Sequence, residues 1–271
     1  MTAGEAGYLA HLEARDGEAD LDGRILARRE AIFRSLSAEP VRSQRPVDAD
    51  VFRRNLRRPE PEGCLDDTML WLLATAKANQ AERFAIELAD LHGKLDADDP
   101  VRVHISLQEV YHTRLLADVV ALFGLTFRPQ PPARSTRTFV KLLLTLPERV
   151  ALPLTGAAEM AGCVLFRALR DRGVALLADE PAVAARVRLL YDQILADEIG
   201  HVGYCASRLG RGGRAIMRLL YRLLGSYFAA SMPEIERLLG HDELRRRFGA
   251  EFRLDEMMRE LPDGAYAAAM P

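Results

Sequence analysis

The sequence predicts an all-α protein: a four-helix bundle with a long crossover and additional helices at the N- and C-terminal ends. Four stretches carry apolar side chains at the spacing of an amphipathic helix. Proline or acidic residues precede several of these stretches and glycine follows them, as at helix starts and stops. Between the second and third stretches lies LTFRPQPPARS, whose prolines exclude a helix and whose length suits a crossover.

The chain divides into three predicted parts. Its 271 residues, 49% of them hydrophobic, suffice for one large core with peripheral arms. Residues 1–66 are charged and broken by prolines, and we expect an N-terminal helical arm with helices near 21–37 and 48–57. Residues 67–210 hold the bundle, and residues 211–271 a C-terminal helical extension packed on it.

Within the bundle, each helix has a start or stop signal in the sequence. The expected segments are Asp67 to Gly93, Pro100 to Gly124, 151–172 with Gly173 as the stop, and Pro181 to Gly210, with a shorter helix or bend near 136–147.

Composition restricts the partners. The net charge is −2, so nothing indicates a nucleic acid. Three widely spaced cysteines, Cys64, Cys163 and Cys205, predict neither a disulfide framework nor a metal knuckle, and a reducing cytoplasm fits them. No signal pattern or long apolar run is present, so a membrane location is disfavoured. Residues 208–222 alternate arginine with leucine and predict a core-packed helix with a charged face or, as the alternative, a membrane-binding one.

Two Glu-x-x-His motifs carry the chemistry. Glu109 precedes His112 by three residues, and Glu198 precedes His201 by three, each pair in the middle of a predicted helix. Residues three apart share a helix face, so each pair can hold one cation. Both pairs fall on the apolar stripe of their helix, where buried carboxylates cost several kcal/mol each unless a cation or proton compensates them.

The other two helices offer one glutamate each. Glu82 shares its stripe with apolar residues, whereas Glu87 lies on the expected wet face of the same helix, although its replacing Glu82 stays open. Glu159 is isolated among apolar and small residues. The predicted metal-binding and catalytic set is Glu82, Glu109, His112, Glu159, Glu198 and His201.

This donor set suits two divalent cations. Four carboxylates and two neutral imidazoles balance their charge, and mixed oxygen and imidazole donors favour Fe or Mn over structural Zn or Ca. Asp197 and Gln108 directly precede the motif glutamates. We expect each to accept a hydrogen bond from the outer nitrogen of the histidine on the partner helix.

One glutamate from each of two helices and Glu-x-x-His from each of the other two is the ligand pattern of ferritin-like di-iron and di-manganese carboxylate proteins. Over roughly residues 68–210 the chain resembles this superfamily, and ADEIGHVGYC is similar to the Asp-Glu-x-x-His segment of its aldehyde-deformylating oxygenases, quinone-biosynthesis hydroxylases and tRNA hydroxylases. Its arylamine N-oxygenases carry an extra histidine where this chain has Ile194.

The resemblance implies a ferritin-like bundle and an oxygenase, a monooxygenase or oxidase, that reductively activates dioxygen at two Fe ions. It also implies a small-molecule substrate and an external electron donor such as a ferredoxin or reductase. Mn or mixed Mn/Fe, a catalase-like activity, iron oxidation and storage, a metal-free bundle and a homodimer stay open as alternatives.

Overall fold

A computed structural model describes residues 3–20, 23–91, 99–128, 134–253, 256–257 and 259. Almost every element in this part is a helix, as predicted. In chain order they are α1 (Ala3–Asp16), β1 (Ala19–Asp20), β2 (Ile25–Leu26), α2 (Ala27–Ala38), α3 (Ala49–Leu56), α4 (Asp67–Leu91), α5 (Pro100–Ala121), α6 (Arg134–Thr145), α7 (Glu148–Leu176), α8 (Pro181–Ser207), α9 (Arg211–Ser231), α10 (Pro233–Leu239) and α11 (His241–Gly249).

Four long helices, α4, α5, α7 and α8, surround a common core. Contacts run in a closed ring, from α4 to α5, from α5 to α8, from α8 to α7 and from α7 back to α4. Fully buried side chains of these helices, including Trp71, Leu116, Phe166 and Tyr191, fill the space between them. Residues that face the middle of the ring from all four helices are therefore close enough to form one site.

Two bundle helices begin at the residues that the sequence predicted. The carboxylate of Asp99 accepts hydrogen bonds from the backbone N–H groups of Val101 and Arg102, and Pro100 occupies the first turn of α5. Pro181 likewise opens α8. Helix α5 ends at Ala121, and Gly124 then adopts a positive φ of 69°. The predicted end of the first bundle helix at Gly93 and the centre of the crossover lie outside the described residues.

Helix α7 corrects one expectation. It runs from Glu148 to Leu176 and passes through Gly173, where the sequence predicted a stop. A Cβ atom at Gly173 would lie 2.4 Å from Cζ2 of Trp71. This glycine therefore permits the buried indole of Trp71 to approach the helix backbone. The predicted stop was wrong because a glycine can mark a close approach within a helix as well as a helix end.

The N-terminal arm holds more structure than the sequence predicted. Helix α1 was not expected, and β1 pairs with β2 in a short antiparallel hairpin. The predicted helices near 21–37 and 48–57 correspond to α2 and α3. Helix α1 contacts α5 and α8, so the arm packs directly against the two helices that carry the Glu-x-x-His motifs.

At the other end of the chain, α9 packs on α7, and α10 packs on α4. Helix α9 buries Met217 and Tyr221 but leaves Ile216, Leu219 and Leu223 exposed. By length and composition, α7 alone among the described helices could span a membrane, yet it belongs to the ring of core helices. A buried core helix passes the same test.

Candidate metal centre

All six predicted ligands meet in the middle of the four-helix ring. Glu82 comes from α4, Glu159 from α7, and the two Glu-x-x-His motifs from α5 and α8. Donor atoms fall into two groups, within each of which all ligand atoms lie within 4.8 Å of one another. The first group is Glu82, Glu109, His112 and Glu198, and the second is Glu109, Glu159, Glu198 and His201.

Two carboxylates belong to both groups. Glu109 and Glu198 are shared, whereas Glu82 with His112 and Glu159 with His201 each belong to one side. Each carboxylate has two oxygens, so a shared glutamate can contact one cation with each of them. The arrangement could therefore hold a cation in each of two adjacent donor groups that share two carboxylates, a sharing that the sequence pattern alone did not specify.

The histidine nitrogens that face the cluster have no hydrogen-bond partner. Nδ1 of His112 lies 3.4 Å from an oxygen of Glu109 and 3.4 Å from one of Glu198, and Nδ1 of His201 lies 3.1 Å from Glu109 and 3.6 Å from Glu159. Neither Nδ1 completes a hydrogen bond in this geometry, although both are buried. Buried nitrogens aimed between carboxylates without bonding to them fit a cation held between the donors.

Crowding of like charges perturbs the carboxylates. Burial and the nearby charge of Glu109 raise the pKa of Glu82 well above its usual value. Burial and the charge of Glu159 likewise raise the pKa of Glu198. These carboxylates are costly to ionise in the metal-free protein, and nearby divalent cations would relieve that cost.

The carboxylates around both imidazoles favour the protonated form of each ring. Burial by itself would lower the pKa of His201, but the negative charges of the nearby Glu109 and Glu159 outweigh burial and raise the pKa to about 10. The pKa of His112 is likewise raised well above its usual value, because the attraction of Glu109 and Asp197 exceeds the effect of burial. A cation at either position must displace a proton from the histidine.

The outer nitrogens of the histidines have the expected partners. Nε2 of His112 donates to Oδ2 of Asp197 at 3.1 Å, and Nε2 of His201 donates to Oε1 of Gln108 at 2.9 Å. Both bonds cross between α5 and α8. In each bond the outer nitrogen, Nε2, carries the proton that it donates. The bond also orients the ring so that Nδ1 faces the cluster.

Sequence reasoning missed three residues of the N-terminal arm. Arg15 and Arg29 both donate to Oδ1 of Asp197, and both donate to Asp16. Although burial opposes it, the two guanidinium groups hold the pKa of Asp197 well below its usual value. Arg29 and Asp16 are almost fully buried, and no sequence pattern connects them to residues more than 90 positions away.

One nearby glutamate lies outside the cluster, and two glycines of α7 lie where neighbouring side chains approach its backbone. Glu87 is exposed and pairs with Arg83 at 2.8 Å, so it does not reach the cluster. A Cβ at Gly156 would meet Sδ of Met217 at 2.4 Å, which shows a close helix approach at this position. A Cβ at Gly162 would lie 3.0 Å from Oε2 of Glu198, so this glycine leaves room for the shared carboxylate.

Solvent access to the cluster is uneven. The side chains of Glu109 and Glu159 are each 19% exposed, whereas those of His112, His201 and Glu198 are at most 3% exposed. Solvent therefore contacts part of the Glu109 and Glu159 side chains. The histidine side is closed by Asp197, Gln108 and the N-terminal arm.

Comparisons with known protein families, curated proteins and solved structures find no significant match to this chain.

Proposed function

We propose that this protein is a ferritin-like di-iron oxidoreductase that activates dioxygen and oxidises a small organic substrate. The observation that carries the proposal is the pair of four-donor groups joined by Glu109 and Glu198, with an unpartnered histidine Nδ1 aimed into each. Its ligand pattern, one glutamate from each of two helices and Glu-x-x-His from each of two others, is that of ferritin-like di-metal proteins.

Charge balance supports a pair of divalent ions. The cluster carries four carboxylates, and the surrounding network of Asp16, Asp197, Arg15 and Arg29 is neutral as a whole. Two divalent cations would thus neutralise the cluster when both histidines are unprotonated at Nδ1. The fit of oxygen and imidazole donors favours Fe or Mn.

Each residue has a defined part in this proposal. Glu109 and Glu198 would hold both ions, and each histidine would hold one of them. A bound Fe(II) pair supplies electrons for the reduction of dioxygen. Protein groups would fix the coordination geometry and exclude water on the histidine side, while the more open side near Glu109 and Glu159 would admit the substrate. Further electrons would come from an external donor such as a ferredoxin or reductase.

Anaerobic loading with Fe(II), followed by mixing with air-saturated buffer in a stopped-flow spectrometer, tests the proposal. We expect two Fe per chain and consumption of dioxygen with a transient change in visible absorbance. Glu82→Gln should lower the Fe content toward one per chain, and its matched control on the same helix, Glu87→Gln, should retain two. No Fe binding by the wild-type chain would overturn the metal site.

The same preparation separates the proposed activity from its alternatives. Two bound Fe without dioxygen consumption would contradict an oxygen-activating function. Release of dioxygen from hydrogen peroxide by the Mn-loaded protein would instead support a catalase-like enzyme. Native mass spectrometry that shows a large closed assembly containing many Fe per chain would support iron storage.

A further inference from the structure

The side chain of Gln108 lies between the candidate metal centre and the N-terminal arm. Its Oε1 accepts a hydrogen bond from Nε2 of His201 at 2.9 Å, and its Nε2 donates to Oδ2 of Asp16 at 2.6 Å. Both Gln108 and Asp16 have no solvent-exposed surface. Both hydrogen bonds are therefore shielded from bulk solvent.

Chemistry determines which way the Gln108 amide faces. A carboxylate accepts hydrogen bonds and donates none, so Asp16 requires the NH2 group of Gln108 on its side. The carbonyl oxygen of Gln108 must then face His201, and an acceptor at this place requires a proton on Nε2. With Nε2 protonated, a neutral His201 has its lone pair on Nδ1, which is the nitrogen that faces the cluster.

Two arginines hold Asp16 in this role. Nε of Arg29 donates to Oδ1 of Asp16 at 2.8 Å, and Arg15 donates to Oδ1 at 3.0 Å and to Oδ2 at 3.1 Å. The side chain of Arg29 is only 3% exposed. The arginines thus fix the position and orientation of Asp16 independently of its contact with Gln108.

We infer that Asp16, at the end of α1, is a positioning residue for the second metal position: through Gln108 it selects the tautomer of His201 that can bind a metal ion through Nδ1. This inference rests on the proposed metal site and adds a selective role for the N-terminal arm. The position that contains His112 does not depend on Gln108, because Asp197 accepts directly from Nε2 of His112.

The substitution Asp16→Asn tests the relay with little change in shape. An asparagine NH2 group at the place of Oδ1 would face N–H groups of both arginines. At the place of Oδ2 it would face one arginine N–H and the Gln108 amide, so the second orientation is the less unfavourable one. The Gln108 amide can rotate to present its oxygen. The NH2 group of Gln108 would then face Nε2 of His201. This contact favours the His201 tautomer that carries its proton on Nδ1.

Gln108→Met provides a second test of the relay. Methionine has a similar size but its sulfur is only a weak acceptor, so Nε2 of His201 loses the bond that keeps it protonated. The matched control is Asp192→Asn, because Asp192 is a mostly buried carboxylate on α8 whose partner is Arg170 at 2.9 Å. Its substitution removes a charged pair without touching the relay.

The experiment is anaerobic equilibrium dialysis of the full chain against increasing Fe(II), with bound iron measured by elemental analysis. We expect two binding steps in the wild type and in Asp192→Asn. In Gln108→Met, one step should weaken by about 10- to 100-fold, the usual effect of losing an outer hydrogen bond, while the other step is unchanged. In Asp16→Asn, the same step should weaken more than the other, because Arg15 and Arg29 also bind Asp197 beside His112. Thermal unfolding of each metal-free variant identifies a variant that does not fold.

The outcomes separate the inference from the proposed function. If the wild type binds two Fe and both relay variants bind them equally well, the inference is wrong and the metal site stands. Equal weakening of both steps in a folded variant would indicate a general structural role and also overturn the inference. If the wild type binds no Fe, the proposed function itself fails.

Discussion

The two histidines of the candidate metal centre point the same way but are held differently. Nε2 of His112 donates to the carboxylate of Asp197, whereas Nε2 of His201 donates to the amide of Gln108. A carboxylate acceptor makes an imidazole a stronger donor to a metal than an amide does. The two proposed cation positions are therefore not equivalent, and we expect the His112 position to bind the first ion.

Substitution of a shared glutamate should weaken binding at both proposed cation positions. Glu198→Gln takes away a carboxylate shared by both donor groups, so we expect bound Fe(II) to fall from two per chain to below one. Because burial raises the pKa of Glu198, the substitution should leave the metal-free protein at least as stable. Elemental analysis after anaerobic loading measures the change, with Glu243→Gln on the surface as the control. A retained pair of ions would refute the shared role of Glu198.

A second prediction concerns Asp197, the charged acceptor beside His112. Asp197→Asn leaves the buried Arg29 and the half-buried Arg15 without the full charge that compensates them. Removing one partner of a buried ion pair costs about 3–5 kcal/mol, and we expect a loss of this size in the unfolding free energy of the metal-free protein. Urea titration measures it.

The control for this stability change is Asp179→Asn. Asp179 is 70% exposed and pairs with Arg45, so its substitution should cost about 0–1 kcal/mol. Gln108→Met, on the uncharged side, should also cost less than Asp197→Asn. Equal losses for Asp197→Asn and Asp179→Asn would show that the buried network does not depend on Asp197.

The pH dependence of metal binding provides a third prediction. The pKa of His201 in the metal-free fold is raised to about 10, so below that pH a cation must displace a proton from Nδ1. Affinity should therefore rise with pH, by up to about tenfold per unit for each proton released, and level off above about pH 10.

Titration calorimetry in buffers of different ionisation enthalpy counts the protons released. We expect at least one proton for each ion bound, since the pKa of His112 is also raised. His241→Gln, which changes an exposed histidine beside Glu236, is the control and should leave the count unchanged. Binding that is independent of pH between 6 and 9 would mean that the histidines are not ligands, because titration of ligand nitrogens requires a slope.

The smallest expected effect comes from Gly162→Ala. The added methyl group would lie 3.0 Å from Oε2 of Glu198, so the shared carboxylate must shift by a few tenths of an ångström. We expect Fe(II) affinity to fall several-fold, less than the roughly 10- to 100-fold effect of losing an outer hydrogen bond. Gly212→Ala, where no atom lies near the added group, is the control for the same equilibrium dialysis.

The sequence predicted the four core helices and the placement of Glu82 and Glu159, because both depend on the local period of a helix. The two hydrogen bonds across α5 and α8 also followed from adjacency to the motifs. The sequence did not predict the contacts that Asp16 and Arg29 make behind the histidines. Their contacts with Gln108 and Asp197 join residues far apart in the chain, and the path of the arm is set by tertiary packing.

Anomalous diffraction from crystals equilibrated with Fe(II) under anaerobic conditions would locate the ions in the candidate metal centre. Our prediction is two iron peaks between Glu109 and Glu198, one bound by Nδ1 of His112 and the other by Nδ1 of His201. Absence of iron from the cluster, or coordination through either Nε2, would contradict it.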